Sequence, residues 1–248
     1  RATLLVAGGN GKSPMVAGLA IYCISQLGIK DCNIHVFANS RDQAGIILED
    51  CEAMITGSPA LSRRFKCQVK GIFFDQGGYI KGHASDARKL DGIRPTIALI
   101  DEKHEMRNYR VINHCVRSLN KAQENQLMLT ISTMGYVLDG PLVDDYRRGE
   151  QILKGIYPQS TAERELVMIY ELDREDDYED RSTWKKANPS LGVLLKQEDL
   201  ELTWESSRLV PGLKADFLTK QLNLFTRTDE AAFLDFSLLE KNRDEADL

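Results

Sequence analysis

No stretch of this 248-residue chain is long and apolar enough to cross a membrane, and no secretory leader is recognisable at its start. None of its five cysteines (Cys23, Cys32, Cys51, Cys67, Cys115) stands in a CxxC pair, and their number is odd. That argues against a structural zinc or a disulfide framework and for a reduced chain. Positive charge is not in excess: 32 Lys and Arg against 37 Asp and Glu leave a net charge of −5. A wholly basic nucleic-acid wrapper is thereby excluded, though a local basic surface is not. Internal repeats and low-complexity tracts are missing, and the chain opens at Arg1 rather than Met, as a piece of a longer protein would. The rest is ordinary, with 42% hydrophobic and 28% charged residues. That suffices for one large α/β domain, or for a domain with a small appendage.

Apolar runs alternate with helical spacing over the first two thirds. Residues 3–7 read as a short strand entering a glycine loop, and 12–27 carry Val16, Leu19, Ala20, Cys23, Ile24 and Leu27 at helical intervals. Pro14 falls in the first turn of that helix, where a missing N–H does no harm. Further strands are expected at 33–38, 69–74, 96–100, 127–132 and 165–172, and helices at 41–55, 109–119 and 142–154. The run 96–100 is apolar without a break, as in a parallel strand covered on both faces. This alternation predicts an α/β fold with an open, mostly parallel sheet flanked by helices. Composition then changes, with an acidic run at 173–180, an Asn-Pro turn within 184–192, and helices near 198–208 and 213–222. The expected division is a core over 1–172 and a small helical lid or linker subdomain with a tail over 173–248.

Gly8-Gly9-Asn10-Gly11-Lys12-Ser13 lies between the first strand and the first helix. Small residues let successive backbone N–H groups turn toward phosphate oxygens, and the helix start adds partial positive charge. Lys12 can reach the β- and γ-phosphates, and the Ser13 hydroxyl can hold Mg²⁺. The match to GxxxxGK[ST] is imperfect, because Val6 stands where the first glycine belongs. A plain glycine turn is the competing reading. Asp101-Glu102 closes the apolar run at 96–100. An Asp there emerges at the carboxyl edge of the sheet, beside the glycine loop, and can hold Mg²⁺ through water. Glu102 is placed to orient the attacking water or take its proton. His104 and Glu105 either sense the site or simply begin a solvated helix. Thr130-Ile131-Ser132-Thr133 ends the next strand; its hydroxyls can sense a γ-phosphate and relay its loss, or be ordinary strand-end residues.

With these strand ends placed, the chain resembles the large terminase subunit of tailed bacteriophages. Arg41-Asp42-Gln43-Ala44 is similar to the family's Gln-Ala segment. Asp91-Gly92 before Pro95, then Leu99-Ile100-Asp101-Glu102-Lys103-His104-Glu105, resembles its Walker B block. Thr130-Ile131-Ser132-Thr133-Met134-Gly135 resembles its coupling motif. Trp184-Lys185-Lys186-Ala187-Asn188-Pro189 and Phe217-Leu218-Thr219-Lys220-Gln221-Leu222-Asn223 are similar to its late signatures. The blocks run in family order over residues 1–235.

The resemblance implies a RecA-like, additional-strand P-loop ATPase that uses ATP and Mg²⁺ to drive double-stranded viral DNA into procapsids. It implies a pentameric ring docked on the portal protein, with the small terminase subunit as a further partner, in the cytoplasm of the bacterial host. Gly8, Gly9, Asn10, Gly11, Lys12 and Ser13 would bind nucleotide; Ser13 and Asp101 would hold the metal. Lys12 and Glu102 would be catalytic, and Thr130, Ser132 and Thr133 would couple hydrolysis to DNA movement. Arg88 is the candidate arginine finger toward a neighbouring subunit, with Arg94 second. Three departures stand out. Gly8 and Gly9 replace basic residues of many relatives, which would weaken hydrolysis. The family's upstream adenine-binding segment is expected to be missing. So is its C-terminal RNase H-like nuclease domain, and no DNA-cutting activity is expected.

Two other readings compete. Asp101-Glu102-Lys103-His104 is literally a DExH box, but a helicase of that type needs a second RecA-like domain, and the alternation is not repeated after residue 165. A nucleotide-binding portal adaptor without turnover would suit the irregular loop. Arg63-Arg64-Phe65-Lys66 and Arg107-Asn108-Tyr109-Arg110 can touch DNA phosphates, although solvated charge accounts for each as well. The acidic run at 173–180 is assigned no metal.

Overall fold

The computed structural model describes residues 1–84, 90, 92–119, 125–136 and 139–226. Along the chain run β1 (Ala2–Leu5), α1 (Lys12–Gln26), β2 (Asn33–Ala38), α2 (Arg41–Thr56), α3 (Pro59–Ser62), β3 (Phe65–Gln68), β4 (Gly71–Phe74) and β5 (Tyr79–Ala84). Then come β6 (Ile97–Asp101), α4 (Arg110–Leu119), β7 (Leu127–Ser132), α5 (Pro141–Leu153), α6 (Gln159–Ala162), β8 (Leu166–Ile169), α7 (Gln197–Ser207) and α8 (Pro211–Lys220). The strands form one sheet in the order β3-β4-β5-β2-β6-β7-β1-β8. Six of them, from β5 to β8, are parallel; only β3 and β4 run antiparallel to their neighbours. This is the RecA-like arrangement expected, with β7 as the additional strand between β1 and β6.

Alternation within the strands sorts the core into two faces. Ile34, Val36, Leu99, Leu129 and Ile131 point toward α1 and α2, which bury Val16, Ala20, Ile24, Ile47 and Ile55 against them. Phe37, Ala98, Ile100 and Met128 face the other way and meet Val111, Ile112 and Cys115 of α4. All five residues of β6 are buried, which is why its apolar run is continuous. Ser40 starts α2 by accepting from the Gln43 amide while the Gln43 side chain takes the Ser40 amide, a reciprocal cap. Beyond β8, Leu172, Trp184, Leu200, Trp204, Phe217 and Leu222 form a cluster that includes Ala7, just past β1.

Strands β2 and β7 have the expected bounds, and most other expected elements are displaced by a few residues at their ends. Of the strand expected at 69–74 the structure keeps β4, over 71–74; β3, antiparallel to it, and β5, which continues the sheet onto β2, were not expected. β3 has only Phe65 buried, and β5 is interrupted by Gly82 and His83, so neither shows an apolar run. In the basic cluster at 63–66, Phe65 is buried against Phe74, and Arg64 is held by Asp75 and by the Phe74 ring. Lys186 bonds Asp173 and Asp176 at 2.7 Å each, which ties the acidic run into an ion-paired turn.

One buried group makes the fold sensitive to acid. His35 on β2 and His83 on β5 share a hydrogen bond of 2.8 Å, and Tyr79 lies 3.3 Å from the other His35 ring nitrogen. Burial, with His83 and Lys81 nearby, pulls His35 down from 6.5 to about 3. The folded state therefore stays unprotonated where the unfolded chain takes up a proton, so stability is full above the unfolded value and declines as pH falls toward 3. At pH 5 this one residue should cost about 2 kcal/mol relative to neutral pH. Urea midpoints at pH 7 and 5 should show that fall, and His35→Gln should flatten it. An equal fall in the variant would exonerate His35.

Candidate nucleotide-hydrolysis site

Parallel pairing makes β1, β7 and β6 end side by side, with Leu5 opposite Ser132 and Asp101 opposite Ile131. The chain leaving each strand therefore reaches the same edge of the sheet. After β1 it turns through Gly9 and Gly11, with φ of 72° and 77°, and Gly11 caps α1 in the left-handed region. The start of this 15-residue helix has no side-chain cap and no acidic residue in its first turn, so its amide donors and dipole face outward uncompensated. Lys12 is buried, and its Nζ donates to the carbonyls of Val6 (3.0 Å) and Ala7 (3.1 Å). Ser13 follows it in the first turn, half-buried. Asn10 ties the loop to the C-terminal segment, its Nδ2 donating to Asn188 Oδ1 (2.8 Å) and its Oδ1 accepting from the Ser190 amide (3.1 Å). A Cβ on Gly9 would come within 2.6 Å of Leu195, so glycine at this position leaves room for that leucine.

Asp101 is buried, and its Oδ1 accepts from the Glu102 amide at 2.9 Å. Burial and the neighbouring Glu102 charge raise it from 3.8 to about 6. Glu102 has φ of 44°, a left-handed conformation that costs a non-glycine residue about 1–2 kcal/mol. Its Oε2 is buried and makes no directed hydrogen bond, although His104 Nδ1 stands 2.9 Å away off axis. Burial alone would raise Glu102, but His104, Lys12 and Lys220 outweigh it and hold the carboxyl below its usual value. Burial in turn lowers Lys12, opposed by the charges of Glu102 and Asp101. Beside them Lys103, almost fully buried, is paired with Asp145 of α5.

Ser132 Oγ accepts from the His104 amide (3.2 Å), stands 3.1 Å from His104 Nδ1, and donates to the Thr133 carbonyl (2.7 Å). Thr133 Oγ1 lies 3.4 Å from the same nitrogen. The structure thus brings Lys12, Asp101 and Glu102 together with Ser132 and Thr133. Thr130 is buried in the body of β7, opposite Ile100, rather than at its edge. Arg94 is exposed ahead of β6, and Arg88 lies outside the described residues. Gln43 Nε2 bonds Glu105 at 2.9 Å, which joins the Gln-Ala segment to the Walker B block. Sequence reasoning missed Lys220, whose Nζ meets His104 Nε2 at 2.7 Å and whose carbonyl accepts from the Gly8 amide at 2.8 Å. A separation of 116 residues leaves no local pattern for that pair; the only signal was Lys220's place in a late signature block.

The family model for the terminase large subunit, ATPase domain, matches residues 1–151. The chain belongs to that family. A second model, the terminase large subunit endonuclease domain, matches residues 159–246, so the expected absence of any nuclease-domain sequence is corrected. β8, within that match, pairs with β1 and completes the sheet. Among the described residues no group of three or more His, Cys, Asp or Glu could hold a metal ion.

The terminase large subunit of Enterobacteria phage HK97 is 24% identical over 227 residues, spanning 90% of this chain and 44% of that protein. Its crystal structure superposes with a TM-score of 0.79 at 23% identity, over 90% of this chain and 46% of that one. Protein YmfN of Escherichia coli K12 is 31% identical over 146 residues, which is 59% of this chain and 31% of that protein. A large terminase from a thermophilic bacteriophage, solved in complex with ADP, shares the fold at 11% identity with a TM-score of 0.56, over 91% of this chain and 48% of that one. The chain thus spans less than half the length of the curated relatives it matches.

One glycine controls the packing of His104. A Cβ on Gly135 would stand 2.7 Å from His104 Cβ. Gly135→Ala should therefore displace His104 and destabilise the protein by about 1–3 kcal/mol, as overpacking does. Thermal unfolding measures it, and an unchanged midpoint would show that the two backbones separate freely.

Proposed function

We propose that this chain is the ATP-hydrolysing part of a motor that drives double-stranded viral DNA into procapsids. The observation that carries the reading is the buried Glu102 carboxylate, whose Oε2 makes no well-directed hydrogen bond, set beside Asp101 and Lys12 at the open start of α1. A buried carboxylate oxygen that makes no well-directed hydrogen bond, kept ionised by His104, Lys12 and Lys220, suits a group that accepts from an attacking water. Gly8, Gly9, Asn10 and Gly11 would present backbone amides to the phosphates, and Lys12 would leave its two carbonyls for the β- and γ-phosphate oxygens. Ser13 and Asp101 are the oxygen donors suited to Mg²⁺. Bound there, the ion would neutralise charge on the phosphates. Its presence would also lower Asp101, whose raised value reflects burial and a carboxylate neighbour.

Ser132 and Thr133 bond the His104 that flanks Glu102, so they are placed to pass a change at the hydrolytic centre into β7, with Thr130 further along the strand. Family membership supports the remainder of the reading. The division into a core over 1–172 and a lid or linker from 173, the pentameric ring, the portal protein and the small terminase subunit belong to it. So does the cytoplasm of the bacterial host. Among the described residues no helix is long and apolar enough to cross a membrane. Arg88, with Arg94 second, is proposed to act on the nucleotide of a neighbouring subunit.

ATP turnover by the purified chain, with and without double-stranded DNA, is the direct test. Glu102→Gln should lower turnover at least about 100-fold while nucleotide binding persists, because the amide keeps the shape and loses the base. Lys12→Ala should lose the binding itself. Full turnover in Glu102→Gln would sink the assignment. Arg88→Ala should impair hydrolysis only in the assembled ring, and mixing it with Glu102→Gln subunits should restore part of the activity. Absence of rescue would remove the role across subunits.

A further inference from the structure

We propose that Lys220 is a positioning residue of this site: its ammonium fixes the tautomer of His104, so that the placement of α8 is read at Glu102. The proposal rests on the hydrolysis reading above for its kinetic consequence, but not for its geometry.

The argument is one of donors and acceptors. An ammonium can only donate, and Lys220 Nζ is 2.7 Å from His104 Nε2, so that nitrogen must present its lone pair. The ring proton then belongs to Nδ1. On that side stands Ser132 Oγ at 3.1 Å, whose own proton is already given to the Thr133 carbonyl, leaving a lone pair to receive the imidazole N–H. Glu102 Oε2, acceptor only, lies 2.9 Å from the same nitrogen. The opposite tautomer would set an N–H against an ammonium on one side and a lone pair against a carboxylate on the other. Lys220 thereby keeps the N–H edge of the ring toward Glu102.

The ring has little freedom to answer otherwise. His104 is buried, its amide is bonded to Ser132, and only the missing Cβ of Gly135 lets it fit. Lys220 is equally constrained. It ends α8, its carbonyl accepts from the Gly8 amide, and the next residues are fastened by Asn188 Nδ2 to the Gln221 carbonyl (2.7 Å) and by the Met134 amide to Asn223 Oδ1 (2.7 Å). One imidazole therefore joins the end of β6, the end of β7 and the last described helix.

Long-range ¹H–¹⁵N correlation spectra of the full chain at neutral pH resolve imidazole tautomers, and His104→Gln identifies the His104 signals among the four histidines. The native protein should show His104 with its proton on Nδ1. Lys220→Met should move it to Nε2, and Lys220→Arg, which restores a donor, should move it back. In parallel, Lys220→Met should lower kcat by about 10- to 100-fold with KM for ATP little changed. Adding it to His104→Gln should cost nothing further. A native His104 protonated on Nε2, or a tautomer that Lys220→Met leaves unaltered, overturns the proposal even if turnover falls. A chain inert toward ATP that shows the tautomer shift would instead refute the hydrolysis reading alone.

Discussion

The insertion of β7 between β1 and β6 is the constraint on which the candidate site depends. Parallel neighbours stand about 4.8 Å apart, so Asp101 and the residue following Leu5 are each one strand away from the Ile131–Ser132 step. A loop of small residues can then lead Lys12 back beneath the strand ends while Asp101 meets it across β7. The two apolar faces hold those strands in fixed register, because a slip by one residue would turn Asp101 into the α4 side of the sheet. A buried carboxylate pair and a buried lysine are tolerable only under that rigidity.

Electrostatically the centre is a set of mutual compensations. Burial disfavours charge on Asp101 and on Lys12, and each charge supports the other, while Glu102 stays ionised because three basic groups surround it. Lys103 and Asp145 repeat the arrangement on the adjoining side of the same turn. Removing one member of such a set leaves an uncompensated buried charge, which is more damaging than the pair is stabilising. The left-handed conformation of Glu102 belongs to the same economy: it turns the carboxylate toward the glycine loop at a backbone cost that the buried residues on either side sustain.

Much of this was legible in the sequence, and for a physical reason. Strands β2, β6 and β7 are buried on both faces, and β1 runs into the buried Leu5-Val6-Ala7, so all four appear as largely apolar runs, and the glycine loop and Asp101-Glu102 mark the ends of β1 and β6. β3 and β5 were not legible, since a short edge strand and one interrupted by glycine and histidine carry no run. Lys220 and Asn188 were visible only as members of late blocks: their partners His104 and Asn10 lie far away in sequence, and no spacing rule joins them. The match of residues 159–246 to the nuclease family was not legible, because helices such as α7 and α8 carry no catalytic motif of their own.

The position of β1 bears on how the molecule is made. It lies one strand in from the β8 edge, its partners are residues 129–132 and 166–169, and Ala7 closes a cluster built from residues 172–222. During synthesis at roughly 5–20 residues per second, β1 leaves the ribosome many seconds before anything can pair with it. Its pairing with β7 and then with the edge strand β8 joins residues far apart in sequence, and such contacts close slowly. The phosphate loop is thus synthesised well ahead of the strands and the late cluster that hold β1 in place.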